Sequence, residues 1–554
     1  MNEIRKLITT SVIVLLLIGG WQLFFAKKNN DNLSNKAQEQ EIKFTTREHA
    51  IQNSIHDRVL INTNKFSGSI NLRGAVFDDL ILKEFDESIE KNSKKVELLN
   101  PINTENAHYI HLGWLSTENS IKVPDNHAIW RTDNKTLAVN HPVVLSWENG
   151  QGVTFNTRIE IDENYMFSIT HSVHNNMNKP LTIIPYGLIS KIEKNVGDST
   201  SILHEGPLGV FDGILQEVSF KNMKDEIKND YKDNKTGWLG LTDKYWLSSI
   251  VPDSRYTFNA SFLYKQINQL DRFQVDFIGQ RLTVPQDGKL TYNLHLFTGA
   301  KKIDLLDQYE KTYNIDNFDR AIDFGWLYFL TKPMSIILNF INSYSHNFGI
   351  AILLLTVIIK LIMLPLANKS YTSITKMKEL TPVINRLKER YKDDKLRFNY
   401  ELMQLYKREK INPLSGCLPL LVQIPVFFAL YKVLYISIES RHAPFFGWIK
   451  DLSAPDPTSI FNVFGLAPWD APSFLTIGAW PIIMGITMYL QQKMNPEPTD
   501  PVQAQMMKFM PVIFVVMFYK FPAGLVIYWA WNNILSILQQ WFVQKRVVKE
   551  MRRF

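Results

Sequence analysis

One lysine, Lys360, stands twelve residues into an apolar run that reaches from Phe348 to Ala367 and holds no carboxylate. A charge at that depth is expensive against lipid, so the ammonium must face protein or water. Two readings stay open. Either Lys360 forms the wall or floor of a water-filled cavity, or its flexible stem carries the charge out to a headgroup. Thr356, Gln423, Asn532 and Asn533 are further polar residues within apolar runs. Together they would line such a cavity, whereas singly each reads as an interhelical hydrogen bond.

Other chemistry finds no constellation to carry it. The pairs His108/His111 and His171/His174 suggest metal ligands, but no third ligand clusters with them and they read as ordinary polar side chains. The single cysteine, Cys417, excludes an internal disulfide and a thiolate zinc site. The apolar runs contain no Asp, Glu or His in their interiors, which removes an intramembrane aspartyl protease, an H-E-x-x-H zinc protease and a carboxylate proton relay. Gly-rich phosphate loops, G-x-S-x-G elbows and dinucleotide fingerprints are missing as well. The chain reads as a non-enzyme that needs no cofactor and no metal.

Hydropathy and charge indicate the elements that must position these residues. The mean hydropathy of −0.12 averages two unlike parts. Residues 1–26 read as an uncleaved signal anchor: Arg5 and Lys6 precede the uncharged run Leu7 to Ala26, which ends in bulky Phe24 and Phe25 rather than in small residues of a cleavage site. Residues 27–55, rich in Asn, Gln and Lys, read as a flexible tether. Val153, Phe155, Ile159 and Ile161 alternate with polar residues, and after Asp162-Glu163-Asn164 the alternation resumes at Tyr165, Phe167, Ile169 and Val173, which predicts a hairpin. Similar runs cover Tyr256 to Tyr264 and Leu290 to Leu296, so residues 56–320 are expected to form a two-layer β-sandwich outside the membrane. In 321–347, Lys332, Ser335, Asn339 and Asn342 line one side of a helix otherwise rich in Trp, Tyr, Phe, Leu and Ile. That pattern fits an amphipathic helix in the membrane interface or a partly buried helix packed on the soluble domain.

Further spans are expected at 348–367, 416–438 and 473–490. As one helix, residues 506–543 would measure ~57 Å, nearly twice a hydrocarbon core of ~30 Å. Lys520-Phe521-Pro522-Ala523-Gly524 therefore divides this stretch into spans 506–521 and 522–544. Six spans in all place both termini in the cytoplasm, including the basic tail 545–554. The segment 368–415, with 12 Lys/Arg against 6 Asp/Glu, and the loop 491–505 fall on the same side; the loop 439–472 falls outside. Ile374, Met377, Leu380, Ile384, Leu387 and Tyr391, then Leu396, Leu402 and Leu405 beyond Asp393-Asp394, predict a charged helical hairpin. Its charges are either a solvated face or a docking surface for a ribosome or partner. The net charge of +7 comes from such loops, because residues 321–554 carry 25 Lys/Arg against 14 Asp/Glu. This argues for a lipid bilayer and against sequence-specific nucleic-acid binding.

Three segments carry a resemblance: Asn412-Pro-Leu-Ser-Gly-Cys-Leu-Pro-Leu-Leu-Val-Gln-Ile-Pro-Val-Phe-Phe-Ala-Leu-Tyr431, Phe509-Met-Pro-Val-Ile-Phe514 and Phe521-Pro-Ala-Gly-Leu-Val-Ile-Tyr528. In order and spacing they resemble the YidC/Oxa1/Alb3 family of membrane protein insertases, most closely its Gram-negative bacterial form. The resemblance implies a polytopic α-helical membrane protein whose five-helix insertase core follows a periplasmic β-supersandwich. It implies location in the cell inner membrane and a hydrophilic substrate groove, open to cytoplasm and lipid, holding Lys360, Thr356, Gln423, Tyr528, Trp529, Asn532 and Asn533. Lys360 falls where the family usually has arginine, which keeps the charge but loses the planar fork. Trp529 stands where a second tyrosine often accompanies Tyr528. A substrate helix would slide along Ile424, Pro425, Phe427, Phe428, Met510 and Phe514. Implied partners are nascent membrane proteins, the Sec translocon, and the ribosome or signal-recognition machinery at the cytoplasmic hairpin and tail. The alternative is an assembly factor that acts only beside the translocon. The loop near 461–474 is longer than in the best-known members.

Overall fold

The computed structural model describes residues 44–552 except 119, 195–202, 410, 413–417, 466–468, 470–475 and 497–500. The expected N-terminal span 1–26 and Cys417 lie outside the described residues. The last part of the segment read as a tether is ordered. Thr46 caps a short helix, Arg47–Gln52, and the Arg47 guanidinium pairs with Asp79. A good N-cap followed by a charge partner on a strand turns a polar stretch into a docked one.

Two almost wholly antiparallel sheets pack face to face. The eight-stranded one runs Ile214–Glu217, Gly206–Phe211, Gly237–Thr242, Trp246–Val251, Gly288–Ala300, Met166–Asn175, Val153–Ile161 and Val143–Glu148. The expected hairpin lies in it, with Val153 opposite Asn175 and Ile161 opposite Phe167. Val153, Phe155, Ile159 and Ile161 are all buried, as a period of two requires when one face packs on another sheet. The eleven-stranded sheet is built around Leu181–Glu193, flanked by Leu270–Gly279 and His108–Ser116. Aromatic rings from opposite sheets meet in the core: Phe66 on Phe167 at 6.0 Å, Phe77 on Phe167 at 5.5 Å, and Trp114 on Tyr292 at 6.1 Å. Gly237, at φ +141°, opens a strand so close to its neighbour that a Cβ would lie 1.9 Å from the Val210 carbonyl oxygen.

The last long strand leads into a series of helices: α1 (Ile303–Tyr313), α2 (Tyr328–Ser345), α3 (Phe348–Glu379), α4 (Thr381–Arg390), α5 (Lys395–Arg408), α6 (Leu418–Ile436), α7 (Ala479–Lys493), α8 (Pro501–Phe518) and α9 (Ala523–Met551). Left-handed Asn314 ends α1 and left-handed His346 ends α2, after which the Asn347 side chain caps α3. α3 does not stop at Ala367. Residues 368–379 offer no breaker, so the helix continues to the Thr381-Pro382 step, and the expected hairpin is reduced to α4 and α5. Tyr519 to Pro522 separate α8 from α9, where the length arithmetic placed the break. Among the described residues only α3 is long and apolar enough to cross a membrane by length and composition alone; residues 421–436 and 502–518 form shorter apolar helices.

Helix α2 turns its polar side inward. The Lys332 ammonium donates to Asp307 at 2.9 Å and Asp319 at 2.6 Å, and Thr331 and Ser335 are buried. Trp326, Phe329, Phe340 and Tyr344 point outward. This exterior suits lipid rather than water.

Candidate functional site

On α9, Tyr528, Asn532, Ser536 and Gln540 recur every four residues and therefore share one face. All four are buried. The face meets α3, where the Lys360 ammonium donates to the Ser536 hydroxyl at 2.8 Å, and Ser536 in turn donates to the Asn532 carbonyl at 2.8 Å. Among the described residues Lys360 forms no ion pair, although it is half-buried. A little deeper, the Thr356 hydroxyl is satisfied by the Ile352 carbonyl of its own helix. Asn533 donates to the Thr487 hydroxyl of α7 at 3.2 Å. Beyond Lys360 the same seam continues: Gln539 bonds Asn368 at 2.9 Å, and Gln540 bonds Asn495 at 3.0 Å. The result is a polar seam between α3, α7 and α9, carrying one cation without a counter-ion.

On the side of the β domain, residues that follow α6 pack over the starts of α3 and α9. Ile449 and Leu452, from the segment that joins α6 to α7, are buried in the helical core. The carbonyl of Leu452 accepts from Gly524 N at 3.0 Å and that of Ala454 from Ala523 N at 2.7 Å, which ties the segment over the start of α9. Phe445 fills the end of α3 so tightly that a Cβ on Gly349 would come within 2.0 Å of its ring.

Across α9 lies a second feature, a groove of about 640 Å³. Its walls include Gln423, Ile424, Phe427 and Phe428 of α6, Phe514 and Phe518 of α8, and Trp529 of α9. Trp529 sits 4.6 Å from Phe427, 5.1 Å from Phe518 and 5.4 Å from Phe514, ring centre to ring centre. Residue 529 is one step round the helix from 528, about 100°, so aromatic groove and polar seam occupy neighbouring faces of α9. Gln423 joins them, donating to the Tyr528 hydroxyl at 2.6 Å.

The expected site residues thus divide into two sets. Lys360, Thr356, Asn532 and Asn533 share the seam; Gln423, Ile424, Phe427, Phe428, Phe514 and Trp529 share the groove; Tyr528 bridges the two. Pro425 and Met510 lie on α6 and α8 but outside the groove's lining. Sequence reasoning missed Lys432, in the last turns of α6, which ends the groove and donates to Asp323 at 2.7 Å. Burial alone would raise the Asp323 carboxyl, but Lys432 and the amides of His204 and Gly325 outweigh it and hold it below the usual carboxylate range. A lysine near the end of one apolar run and an acid just before another was the available signal. The histidine pairs stay apart from this site: His111 faces the Tyr186 hydroxyl at 3.2 Å and His171 the Thr157 hydroxyl at 2.8 Å.

Two family descriptions match the chain and meet within α2: YidC periplasmic domain over residues 58–337 and 60Kd inner membrane protein over residues 340–550. The membrane protein insertase YidC of Rickettsia bellii is 54% identical over 88% of this chain and 87% of its own length. The chain belongs to the YidC family. The YidC insertase of Rickettsia rickettsii strain Iowa is 53% identical over the same shares. A crystal structure of an active YidC insertase with its first transmembrane domain resolved aligns over 90% of this chain and 94% of that one, at 18% identity and a TM-score of 0.38. In YidC terms the sandwich is the periplasmic domain and the helices from α3 onward are the inner-membrane part. The sheets therefore mark the periplasmic side.

Proposed function

We propose that this chain inserts integral membrane proteins into the bacterial inner membrane and helps them fold, alone or with the Sec translocon. Family membership and the uncompensated Lys360 carry the reading. A short hydrophilic segment of a nascent chain enters the seam from the cytoplasm, drawn by the ammonium, whose pull is stronger beside low-dielectric walls than in water. Closure at the periplasmic end limits leakage while the seam shortens the apolar path. The client's hydrophobic helix runs along the aromatic groove, over Ile424, Phe427, Phe428 and Phe514, and passes into lipid, where burial drives the step. Pro425 and Met510, on α6 and α8 beside the groove's lining, belong to the same slide. Six spans with cytoplasmic termini, α2 in the interface, and α4, α5 and the basic tail as contacts for the ribosome or signal-recognition machinery complete the reading.

The test is protease-protected insertion, in proteoliposomes, of a small client with an acidic translocated tail. Wild type and Lys360→Arg should insert it, and Lys360→Ala should lose about tenfold, or ~1.4 kcal/mol, modest against ~4 kcal/mol for a pair 4 Å apart at an effective dielectric of 20. Equal insertion by all three would remove the electrostatic role of Lys360. No insertion above empty liposomes by wild type would leave an assembly factor that acts only beside the translocon.

A further inference from the structure

The segment between α6 and α7 does more than pack over the starts of α3 and α9. Some of its polar groups, Asp456 and Ser459, are turned inward, while Lys450 stays exposed. Asp456, buried, accepts from the Trp448 indole at 3.1 Å, from the amide and hydroxyl of Thr458 at 3.0 and 2.7 Å, and from Trp480 N at 2.9 Å. Ile449 and Leu452 anchor it in the helical core, and its remaining large apolar side chains are turned outward. Phe446 is 61% exposed and Trp469 58%, and Trp448, Ile460, Phe461, Val463 and Phe464 are exposed with them. Val463 and Phe464 hold φ of +52° and +57°, a left-handed region that a β-branched residue rarely enters, so the backbone is bent to present these side chains. The Trp469 indole is spent on the Phe461 carbonyl at 2.8 Å, which leaves its ring face outward.

Water is a poor neighbour for such a surface, and the fold indicates what replaces it. Phe445, Leu452 and Ala454 pin the segment to the ends of α3 and α9, so it lies at the level where the helices leave the bilayer. On the same side, Arg441 donates to the Asp86 carbonyl at 2.6 Å, which places the β domain next to it. Tryptophan favours the boundary between headgroups and acyl chains, and phenylalanine beside it buries its ring on the acyl side. We infer that the exposed edge formed by Phe446, Trp448, Phe461, Val463, Phe464 and Trp469 is a membrane-docking surface, seated in the periplasmic leaflet of the lipid bilayer. The inference rests on the reading that α3, α6, α7, α8 and α9 cross the membrane. The edge is continuous with that lipid contact, and together with the aromatic side of α2 it fixes the depth and tilt of the helical part.

Environment-sensitive fluorophores on single cysteines test this, in full-length protein with Cys417→Ser, reconstituted in phospholipid vesicles. Phe446→Cys and Val463→Cys are compared with Val512→Cys, exposed on α8, as the lipid reference and Ile214→Cys, exposed on the β domain, as the water reference. Labels at 446 and 463 should emit near the blue end set by 512 and be quenched several-fold more by a headgroup-level lipid nitroxide than by aqueous iodide. If 446 and 463 behave like 214 while 512 stays in lipid, the docking surface is wrong and the membrane reading stands. If 512 is also in water, both fall. Iodide protection that appears only when purified translocon is added would assign the edge to a protein partner and overturn the lipid assignment.

Discussion

The β domain and the helical region are built to opposite rules. In the β domain the largest side chains, Trp114, Trp238, Phe66, Phe167 and Phe277 among them, are buried, and the large apolar side chains left exposed among the described residues are aliphatic and scattered, such as Leu60, Ile214 and Ile278. In the helical region Phe340, Phe428, Phe509, Val512 and Phe542 point outward, while Thr356, Asn533, Ser536 and Gln540 are buried. The same physics produces both. Apolar surface leaves water wherever water is the solvent; in lipid that preference disappears between helices, and polar groups must find one another inside. The contrast identifies the solvent of each region, and it can be broken at named residues.

Acid should separate the two regions most strongly. Burial pushes His108 down to about 3 and His171 and His204 down to about 4 from an ordinary 6.5. Folded-state values below the unfolded one mean that protons bind the unfolded chain more tightly. The associated stability is complete above pH 6.5 and is lost as pH falls from there toward 4, at up to ~1.4 kcal/mol per pH unit for each histidine. In the helical region the histidines, His346 and His442, are not buried. Denaturant unfolding of the full chain in detergent, followed by β-sheet circular dichroism, should weaken steeply between pH 6.5 and 4 while the helical signal changes little. A flat β-sheet midpoint over that window would mean that the three histidines titrate freely.

A core deletion comes next. Trp238 is fully buried, stacks edge-on against Phe318 at 5.3 Å, and donates its indole N–H to the Asp316 carbonyl at 3.1 Å. Trp238→Ala should cost the β domain ~3–5 kcal/mol, whereas Phe509→Ala, on the outward face of α8, should stay within ~0.5 kcal/mol. Equal costs would show that Phe509 is covered by protein.

Charge insertion reverses that ranking. Val512→Asp should disfavour membrane integration of α8 by ~2.5–3.5 kcal/mol, while Ile214→Asp, at a similarly exposed position on the β domain, should change stability by less than ~0.5 kcal/mol. Glycosylation-mapped integration of α8 and thermal unfolding of the full chain read the two effects. Tolerance of aspartate at 512 would place α8 against water or protein.

Much of this division was legible in residue order. Alternation at Val153 to Val173 needs no knowledge of partners, because burial on one face of a hairpin leaves a period of two. The break between α8 and α9 followed from length against bilayer thickness together with Pro522. What was not legible depends on long-range pairing. Asp323 and Lys432 are separated by 109 residues, and only the fold brings them to 2.7 Å. The extension of α3 past Ala367 was hidden because polarity changes there while helix propensity does not. The inward polar face of α2 was readable as a stripe, but its direction depends on Asp307 and Asp319 waiting on the β domain. Candidate site residues were chosen by type, polar or aromatic within apolar runs. Type alone could not show that 528 and 529, adjacent in sequence, belong to different faces.

The smallest effect bears on why the seam is polar at all. Thr487→Val removes the acceptor of the Asn533 amide while keeping the shape of the side chain. Interhelical hydrogen bonds of this kind contribute ~0.6 kcal/mol on average, since the separated helices find other partners in the membrane. Unfolding of the full chain in bicelles should shift by about that much, and insertion of the acidic-tailed client should be unchanged. A loss near that of Trp238→Ala would make the seam a structural joint, and its polarity would then need no functional reason. With a loss of only a few tenths, stability does not account for the cluster of buried amides and hydroxyls around Lys360. The proposed role, solvating a passing hydrophilic segment of a client, would then account for it.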